Sequence, residues 1–251
     1  MNKTTILIIL LMSINSTAFC QSADSTMQEL NSYQQKPSLK AKDFIIPAVF
    51  VAYGSLASGK GPLKNLNYST KNELSEDFPF FKSPLDNYAQ YVPAATVFGL
   101  SILGVNGRNS IKDEAIIYAT AMGINAAIVY PVKILTAQMR PDSSASNSFP
   151  SGHTSSAFVA AEFLRKEYAG ISPWYGIGGY LLATGTGVFR LYNNKHWLGD
   201  IVAGAGIGIA STKLAYFFHD RIKWNRDKKQ AVTILPYYSN RNAGILFQKK
   251  L

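Results

Sequence analysis

The sequence predicts an all-α protein: a helical bundle of about six helices, embedded in a membrane, with a short β-hairpin-like tail. Three observations support this prediction. Of the 251 residues, 47% are hydrophobic and only 16% are charged, whereas soluble domains carry about 25% charged residues. The apolar residues fall into long stretches rich in Ala, Gly, Ile and Val, and small residues let helices pack closely. Glycine, proline or serine-rich breaks separate the stretches.

The first 20 residues predict a signal peptide. They contain one lysine, an apolar run from Ile6 to Met12 and a small-residue pattern that ends at Cys20. Cys20 is the only cysteine of the chain, so cleavage after it would leave neither a disulfide nor a thiol. An uncleaved anchor helix is the alternative. Residues 21–42 are polar and predict a peripheral N-terminal segment.

The predicted helical domain covers residues 43–220. Its apolar stretches are 44–57, 88–105, 115–136, 154–164, 174–191 and 197–219. A membrane span needs about 20 apolar residues, so 88–105 and 115–136 come close to that length and 44–57 is short. Residues 58–87 predict a long polar loop. The number of spans stays open, and a soluble bundle is the alternative.

Residues 221–251 form a basic stretch followed by a β-prone tail. The basic stretch predicts a patch exposed to solvent or to a membrane surface. Two β-prone runs around residues 239–244 predict a small hairpin, with a helix end or disorder as the alternatives. The formal net charge of +10 favours an anionic partner such as a membrane surface or a phosphorylated substrate. Export argues against nucleic acid.

Three basic motifs lie between the predicted helices. Lys133 and Arg140 stand at the end of the third stretch, residues 150–153 ("PSGH") open the fourth, and residues 190–200 ("RLYNNKHWLGD") join the fifth to the sixth. Consecutive helices joined by short connections run antiparallel. The three motifs should therefore meet at one pole of the bundle.

Five residues of these motifs suit a phosphate group. Lysine and arginine bind phosphate, arginine bidentately and lysine as a point charge. Free N–H groups and the helix dipole favour an anion at a helix start, and glycine allows close backbone approach. The predicted phosphate-binding residues are Lys133, Arg140, Ser151, Gly152 and Arg190.

The remaining residues suit catalysis. His196 can attack phosphorus, since histidine forms covalent intermediates. Asp200 lies one helical turn later, where its carboxylate can accept the other ring N–H of His196 and stabilise the developing positive charge. His153 is then left to protonate the leaving oxygen and later to activate water.

Together these motifs resemble the three signatures of the type-2 phosphatidic acid phosphatase and vanadium haloperoxidase superfamily. The matching patterns are Lys133-x6-Arg140-Pro141, Pro150-Ser151-Gly152-His153 and Arg190-x5-His196-x3-Asp200. The resemblance covers residues 88–215. It implies a helical bundle, dephosphorylation through a phosphohistidine without metal or cofactor, and the residue roles given above. One departure stands out: the family usually has serine before the third-motif arginine, and this chain has Phe189.

The predicted substrate is a phosphate monoester or diphosphate of a lipid. Undecaprenyl diphosphate, phosphatidic acid, phosphatidylglycerol phosphate and lipid A phosphate are candidates. The alternatives are a haloperoxidase, in which His196 would ligate vanadate, and an inactive lipid-phosphate-binding protein. Basic residues mark cytoplasmic loops, and they lie away from the motifs at Arg108, Lys112, Arg165 and Lys166. The sequence thus predicts an exported, membrane-associated protein with a periplasm-facing site, and it leaves the oligomeric state open.

Overall fold

The computed structural model describes residues 38–59, 61–230, 232–239 and 242–249. The predicted signal peptide and residues 21–37 lie outside this part. After a 3-10 turn at Ala41–Phe44, the helices are α1 (Ile45–Ser58), α2 (Pro62–Asp77), α3 (Leu85–Ala89), α4 (Val92–Ile102), α5 (Ile111–Thr136), α6 (Gly152–Tyr168), α7 (Pro173–Tyr192) and α8 (Leu198–Gln230). The strands are β1 (Val232–Ser239) and β2 (Asn242–Lys249).

The chain divides into two compact units. Leu39–His219 forms the helical unit that carries the three motifs, and the chain from Asp220 onward belongs to the other unit. Within the latter, β1 and β2 pair antiparallel, with Val232 opposite Lys249 and Ser239 opposite Asn242.

The predicted helical bundle is confirmed, because every apolar stretch forms a helix. The prediction of a long polar loop over residues 58–87 is wrong, since α2 and the start of α3 fall within it. A helix is recognised in sequence by an apolar stripe at helical spacing. Helix α2 has only three leucines on its apolar face, so its signal in the mostly polar sequence is weak. Contacts with other helices hold it in place.

Those contacts join α2 to the start of α8. The Asn67 side chain donates to the Ala57 carbonyl at 3.0 Å and accepts from the Gly199 N–H at 2.9 Å. The Tyr68 and Trp197 rings pack with their centroids 5.0 Å apart. Helix α2 therefore braces the turn that precedes α8, where the third motif lies.

Helix α6 forms the centre of the helical unit, and most of its side chains are buried. It approaches α8 so closely that side chains do not fit between the two backbones. A Cβ atom on Gly208 would lie 2.3 Å from the Ser155 carbonyl oxygen, and one on Gly204 would lie 2.7 Å from that of Ser151. The second contact fixes the start of α6 against α8.

Within the part of the chain that the structure describes, three helices are long and apolar enough to cross a membrane. They cover Ala41–Ser58, Ile111–Thr136 and Leu198–Arg226. Helix α5 also exposes large apolar side chains along its length, including Ile116, Tyr130 and Leu135. Such contiguous apolar surface marks a face that contacts lipid or another protein. These features agree with a membrane-associated bundle.

Candidate active site

The structure brings the three motifs together at one pole of the helical unit. The Trp197 indole donates to the Met139 carbonyl at 2.9 Å, which ties the third motif to the loop after α5. The Ser151 N–H donates to the Asp200 carbonyl at 3.0 Å, which ties the second motif to the third. Direct hydrogen bonds therefore join loops that lie far apart in the sequence.

His196 and Asp200 form a buried pair. His196 Nδ1 lies 3.4 Å from Asp200 Oδ2, which also accepts hydrogen bonds from the Trp197 N–H at 2.9 Å and from the Ser148 hydroxyl. His196 is 3% exposed and Asp200 is fully buried. With Nδ1 directed at the carboxylate, Nε2 is the ring nitrogen that can react.

Burial also sets the charge of His196. Desolvation lowers the pKa of its imidazole to about 4, even though the Asp200 carboxylate acts in the opposite direction. The ring is therefore neutral at pH 7. A neutral imidazole has the free electron pair that a nucleophile needs.

Arg190 makes an ion pair that the sequence did not predict. Its Nη1 lies 2.6 Å from Asp86 Oδ2, and both side chains are buried. The Asn193 amide donates to Asp86 Oδ1 at 3.2 Å and to the Ser83 carbonyl at 2.8 Å. Asp86 therefore holds the guanidinium of Arg190. No motif marks Asp86 in the sequence, since it lies 104 residues from its partner.

Two guanidinium donors at this pole have no acceptor among the residues that the structure describes. The Nε atoms of Arg140 and Arg190 are buried, and within the described part of the chain neither has a hydrogen-bond partner. A buried donor without an acceptor costs about 1–3 kcal/mol, and more when the group is charged. An anion bound between these side chains would satisfy both donors.

His153 contacts a second residue that the sequence did not predict. Its Nε2 lies 2.9 Å from the Asn87 amide oxygen. Burial lowers the pKa of His153 to about 4; Arg190 also lowers it, while the Asp86 carboxylate acts in the opposite direction. A bound phosphate would add negative charge and raise this pKa, so substrate binding would favour the protonated ring.

Ser151, Gly152 and Lys133 lie together at the start of α6. Ser151 is the N-cap, and its hydroxyl pairs with the Thr154 hydroxyl at 2.9 Å. A Cβ atom on Gly152 would lie 3.8 Å from Lys133 Cε, so the lysine side chain runs over the helix start. The Lys133 ammonium donates to the Asn147 carbonyl at 2.5 Å.

Phe189 occupies the position where the family has serine, and here it joins an aromatic cluster. Its ring stacks on Phe81 with the centroids 5.9 Å apart. Phe81 in turn contacts Tyr192 at 5.2 Å, and Tyr192 contacts Phe78 at 5.1 Å. The departure from the family pattern therefore exchanges a hydroxyl for packing against the segment before α3.

Comparison with known proteins gives the same relationship as the motifs. Residues 114–224 match the PAP2 superfamily. This part of the chain is therefore similar to the PAP2 superfamily. All eight predicted site residues lie within it, whereas Asp86 and Asn87 precede it. The resemblance inferred from the motifs is thus confirmed.

A curated relative and two solved structures are similar to this chain. The chain is 36% identical over 143 residues to the lipid A 1-phosphatase of Porphyromonas gingivalis, a match that covers 57% of this chain. The chain spans about a third of the length of that relative, since the match covers 32% of it.

The transmembrane PAP2-type phosphatidylglycerolphosphate phosphatase of Bacillus subtilis matches with a TM-score of 0.53 at 19% identity, over 73% of this chain and 98% of that one. LpxE of Aquifex aeolicus matches with a TM-score of 0.41 at 22% identity, over 67% of this chain and 93% of that one. The first match shows a shared fold.

Proposed function

We propose that this protein hydrolyses a phosphate monoester or diphosphate of a lipid through a phosphohistidine on His196. The observation that carries the proposal is the buried His196–Asp200 pair beside two guanidinium groups whose Nε donors have no acceptor among the described residues. A nucleophile and an anion site occur there together. The names of the relatives, which are lipid phosphatases, support the same activity.

In the first step, His196 Nε2 attacks phosphorus. A nitrogen–phosphorus bond forms as the bond from phosphorus to the leaving oxygen breaks, and His153 gives its proton to that oxygen. Asp200 stabilises the positive charge that develops on the imidazole. Lys133, Arg140 and Arg190 neutralise the charge on the phosphoryl oxygens, a task that elsewhere falls to a metal ion.

In the second step, water attacks the phosphohistidine. His153, now unprotonated, accepts a proton from the water, the nitrogen–phosphorus bond breaks, and inorganic phosphate leaves. Both histidines return to their starting states. The cycle therefore needs no cofactor.

The substrate is proposed from the relatives. Lipid A 1-phosphate is the first candidate, because the curated relative is a lipid A 1-phosphatase. Phosphatidylglycerol phosphate, phosphatidic acid and undecaprenyl diphosphate follow. We also propose that the protein is exported and that the site pole faces the periplasm, since Arg108, Lys112, Arg165 and Lys166 lie away from the motifs.

The test measures phosphate release from these four lipids by the detergent-purified protein. A second measurement looks for a labelled phosphohistidine in the protein. Substrate labelled at the phosphorus should leave a base-stable, acid-labile adduct on His196. The His196→Ala variant should neither form the adduct nor release phosphate. Retained activity in that variant would refute the mechanism.

The two alternatives have different signatures. A haloperoxidase would oxidise bromide with peroxide once vanadate was added, and an inactive binding protein would bind the lipids without releasing phosphate. The same preparation tested for bromide oxidation, lipid binding and phosphate release therefore separates the three functions.

A further inference from the structure

Asn87, in the short helix α3, contacts the proposed general acid. Its amide oxygen lies 2.9 Å from His153 Nε2. An amide oxygen only accepts hydrogen bonds, so Nε2 is a ring nitrogen that carries a hydrogen. This is true of the neutral ring, which has one N–H group, and of the charged ring, which has two. The proton that the ring gains and loses must therefore be the one on Nδ1.

The backbone of Asn87 is fixed by two hydrogen bonds. Its N–H donates to the Pro84 carbonyl at 3.0 Å, and its carbonyl accepts from the side-chain amide of Gln90 at 2.9 Å. Gln90 is buried, so water competes little for this second bond. The Asn87 side chain therefore extends toward His153 from a rigid support.

Helix α3 is also tied to the turn that follows α7. The Ser83 N–H donates to the Asn193 amide oxygen at 2.9 Å, and the Asn193 amide donates to the Ser83 carbonyl at 2.8 Å. Asp86, the residue before Asn87, pairs with Arg190. Two adjacent residues of α3 thus contact a phosphate-binding arginine and the general acid, and one short helix sets the spacing between them.

Most of the charged side chains that act on His153 oppose its protonation. They come from α3, α5, the loop after α5 and the end of α7, and they comprise one carboxylate and three cations: Asp86, Lys133, Arg140 and Arg190. An amide oxygen on Nε2 stabilises the charged ring, because a hydrogen bond to the charged form favours that form. Since the amide is neutral, it does so without competing with phosphate for the cations.

Asn87 also borders a cavity of about 810 Å³, whose aromatic wall includes Phe81 and Tyr192. Beyond the groups already named, the charged side chains that line this cavity are Lys82, Asp142 and Lys195. Lys195 and Asp142 form an ion pair at 2.5 Å. Lys82 is exposed, and solvent screens its charge. These paired or screened charges do not replace the contact that Asn87 makes with the ring.

We propose that Asn87 is a positioning residue that keeps a hydrogen on His153 Nε2, so that Nδ1 gives its proton to the leaving oxygen and later takes one from water. This inference rests on the proposed function and specifies which nitrogen performs its two proton transfers. Without Asn87, the neutral ring could hold its hydrogen on either nitrogen. Asn87 precedes the region that matches the PAP2 superfamily and lies outside the three motifs.

The first test measures kcat/KM of Asn87→Leu on two substrates: p-nitrophenyl phosphate and whichever of the four lipids releases phosphate fastest. We expect a loss of about tenfold on the lipid and of less than about twofold on p-nitrophenyl phosphate, whose leaving group hardly needs a proton. Both substrates need Arg190, so a disturbance of α3 as a whole would lower the two values equally. Asn72→Leu, the same change at an exposed position of α2 outside the cavity wall, is the matched control and should change neither value.

The second test measures the pH dependence of kcat/KM in Asn87→Asp. The carboxylate keeps an acceptor on Nε2 and adds a negative charge, which raises the pKa of His153. A general acid must be protonated, so kcat/KM falls as the pH rises through this pKa. On the lipid, this descending limb should move up by about one pH unit. Thermal unfolding in detergent checks the fold of both variants, and this second variant decides the question if Asn87→Leu does not fold.

Failure of this inference differs from failure of the proposed function. Equal effects of Asn87→Leu on the two substrates, or a descending limb that stays in place in Asn87→Asp, would overturn the role of Asn87 and leave the phosphatase standing. Absence of phosphate release from every lipid by the unmodified protein would overturn the phosphatase and this inference with it.

Discussion

Asp86 offers the sharpest test of how the site is built. Its carboxylate is 2.6 Å from Arg190 Nη1 and 1% exposed, and we expect it to hold the guanidinium in the orientation that phosphate requires. Asp86→Ala would leave a buried charge without its partner, which costs about 3–5 kcal/mol and threatens folding. Asp86→Asn is the better variant, because its amide oxygen can still accept from Nη1.

The size of the effect follows from the bond that changes. A hydrogen bond between charged groups contributes about 1.5–3 kcal/mol, and a neutral one about 0.5–1.5 kcal/mol. The difference of about 1.5 kcal/mol corresponds to about tenfold in rate. We therefore expect kcat to fall about tenfold. KM should change little, because the positive charge of Arg190 remains.

The assay is phosphate release against lipid concentration, with thermal unfolding in detergent as the folding measurement. Glu162→Gln is a matched control, because Glu162 is fully buried and pairs with Arg165 at 2.6 Å. It lies ten residues into α6, about 15 Å from the helix start. This control should lower stability while leaving kcat near that of the unmodified protein.

Two results would refute the reasoning about Asp86. A kcat for Asp86→Asn within twofold of the unmodified value would show that Asp86 does not orient Arg190. A higher kcat/KM would show that the carboxylate competes with phosphate for Arg190.

Three further predictions concern the histidines and the source of positive charge. His153→Ala should lose about 10²–10⁴-fold on a lipid phosphate and much less on p-nitrophenyl phosphate, whose leaving group hardly needs a proton; equal losses on both substrates would make His153 a phosphate-binding residue. Activity should survive EDTA and be inhibited by vanadate, since side chains supply the positive charge, and strict dependence on added Mg²⁺ would contradict this. Burial lowers the pKa of His196 from 6.5 to about 4. Between these two pH values the unfolded chain binds a proton that the folded chain does not, so the free energy of unfolding should fall as the pH drops from 6.5 to 4. Thermal unfolding of His196→Gln should show a shallower pH dependence, and an equal slope would exclude His196 as the cause.

The helices that carry the motifs could be predicted because their signals are local. Apolar stretches of sufficient length predicted α1 and α4 to α8, and the spacing from His196 to Asp200 placed both on one helical turn. Helix α2 could not be predicted in the same way. Most of its residues are polar, and it is held by contacts of Asn67 with Gly199 and of Tyr68 with Trp197, more than 120 residues later.

The residues that support the site could not be predicted from local sequence either. Ser148, which donates to Asp200, is 52 residues from it, and Asn87 is 66 residues from His153. A serine and an asparagine in polar segments are ordinary turn residues. Nothing in their sequence neighbourhood distinguishes them from residues that only form loops.

The sequence by itself therefore determined the helical class, the order of the three motifs and the residue types that can bind and attack a phosphate. Those properties depend on local sequence: the length of each apolar stretch and the spacing of residues within each motif. The tertiary structure alone decided which carboxylate holds Arg190, which amide contacts His153, and that Phe189 joins an aromatic wall beside a cavity. These contacts arise when distant segments are buried together, and burial depends on the packing of the whole helical unit and not on any local pattern.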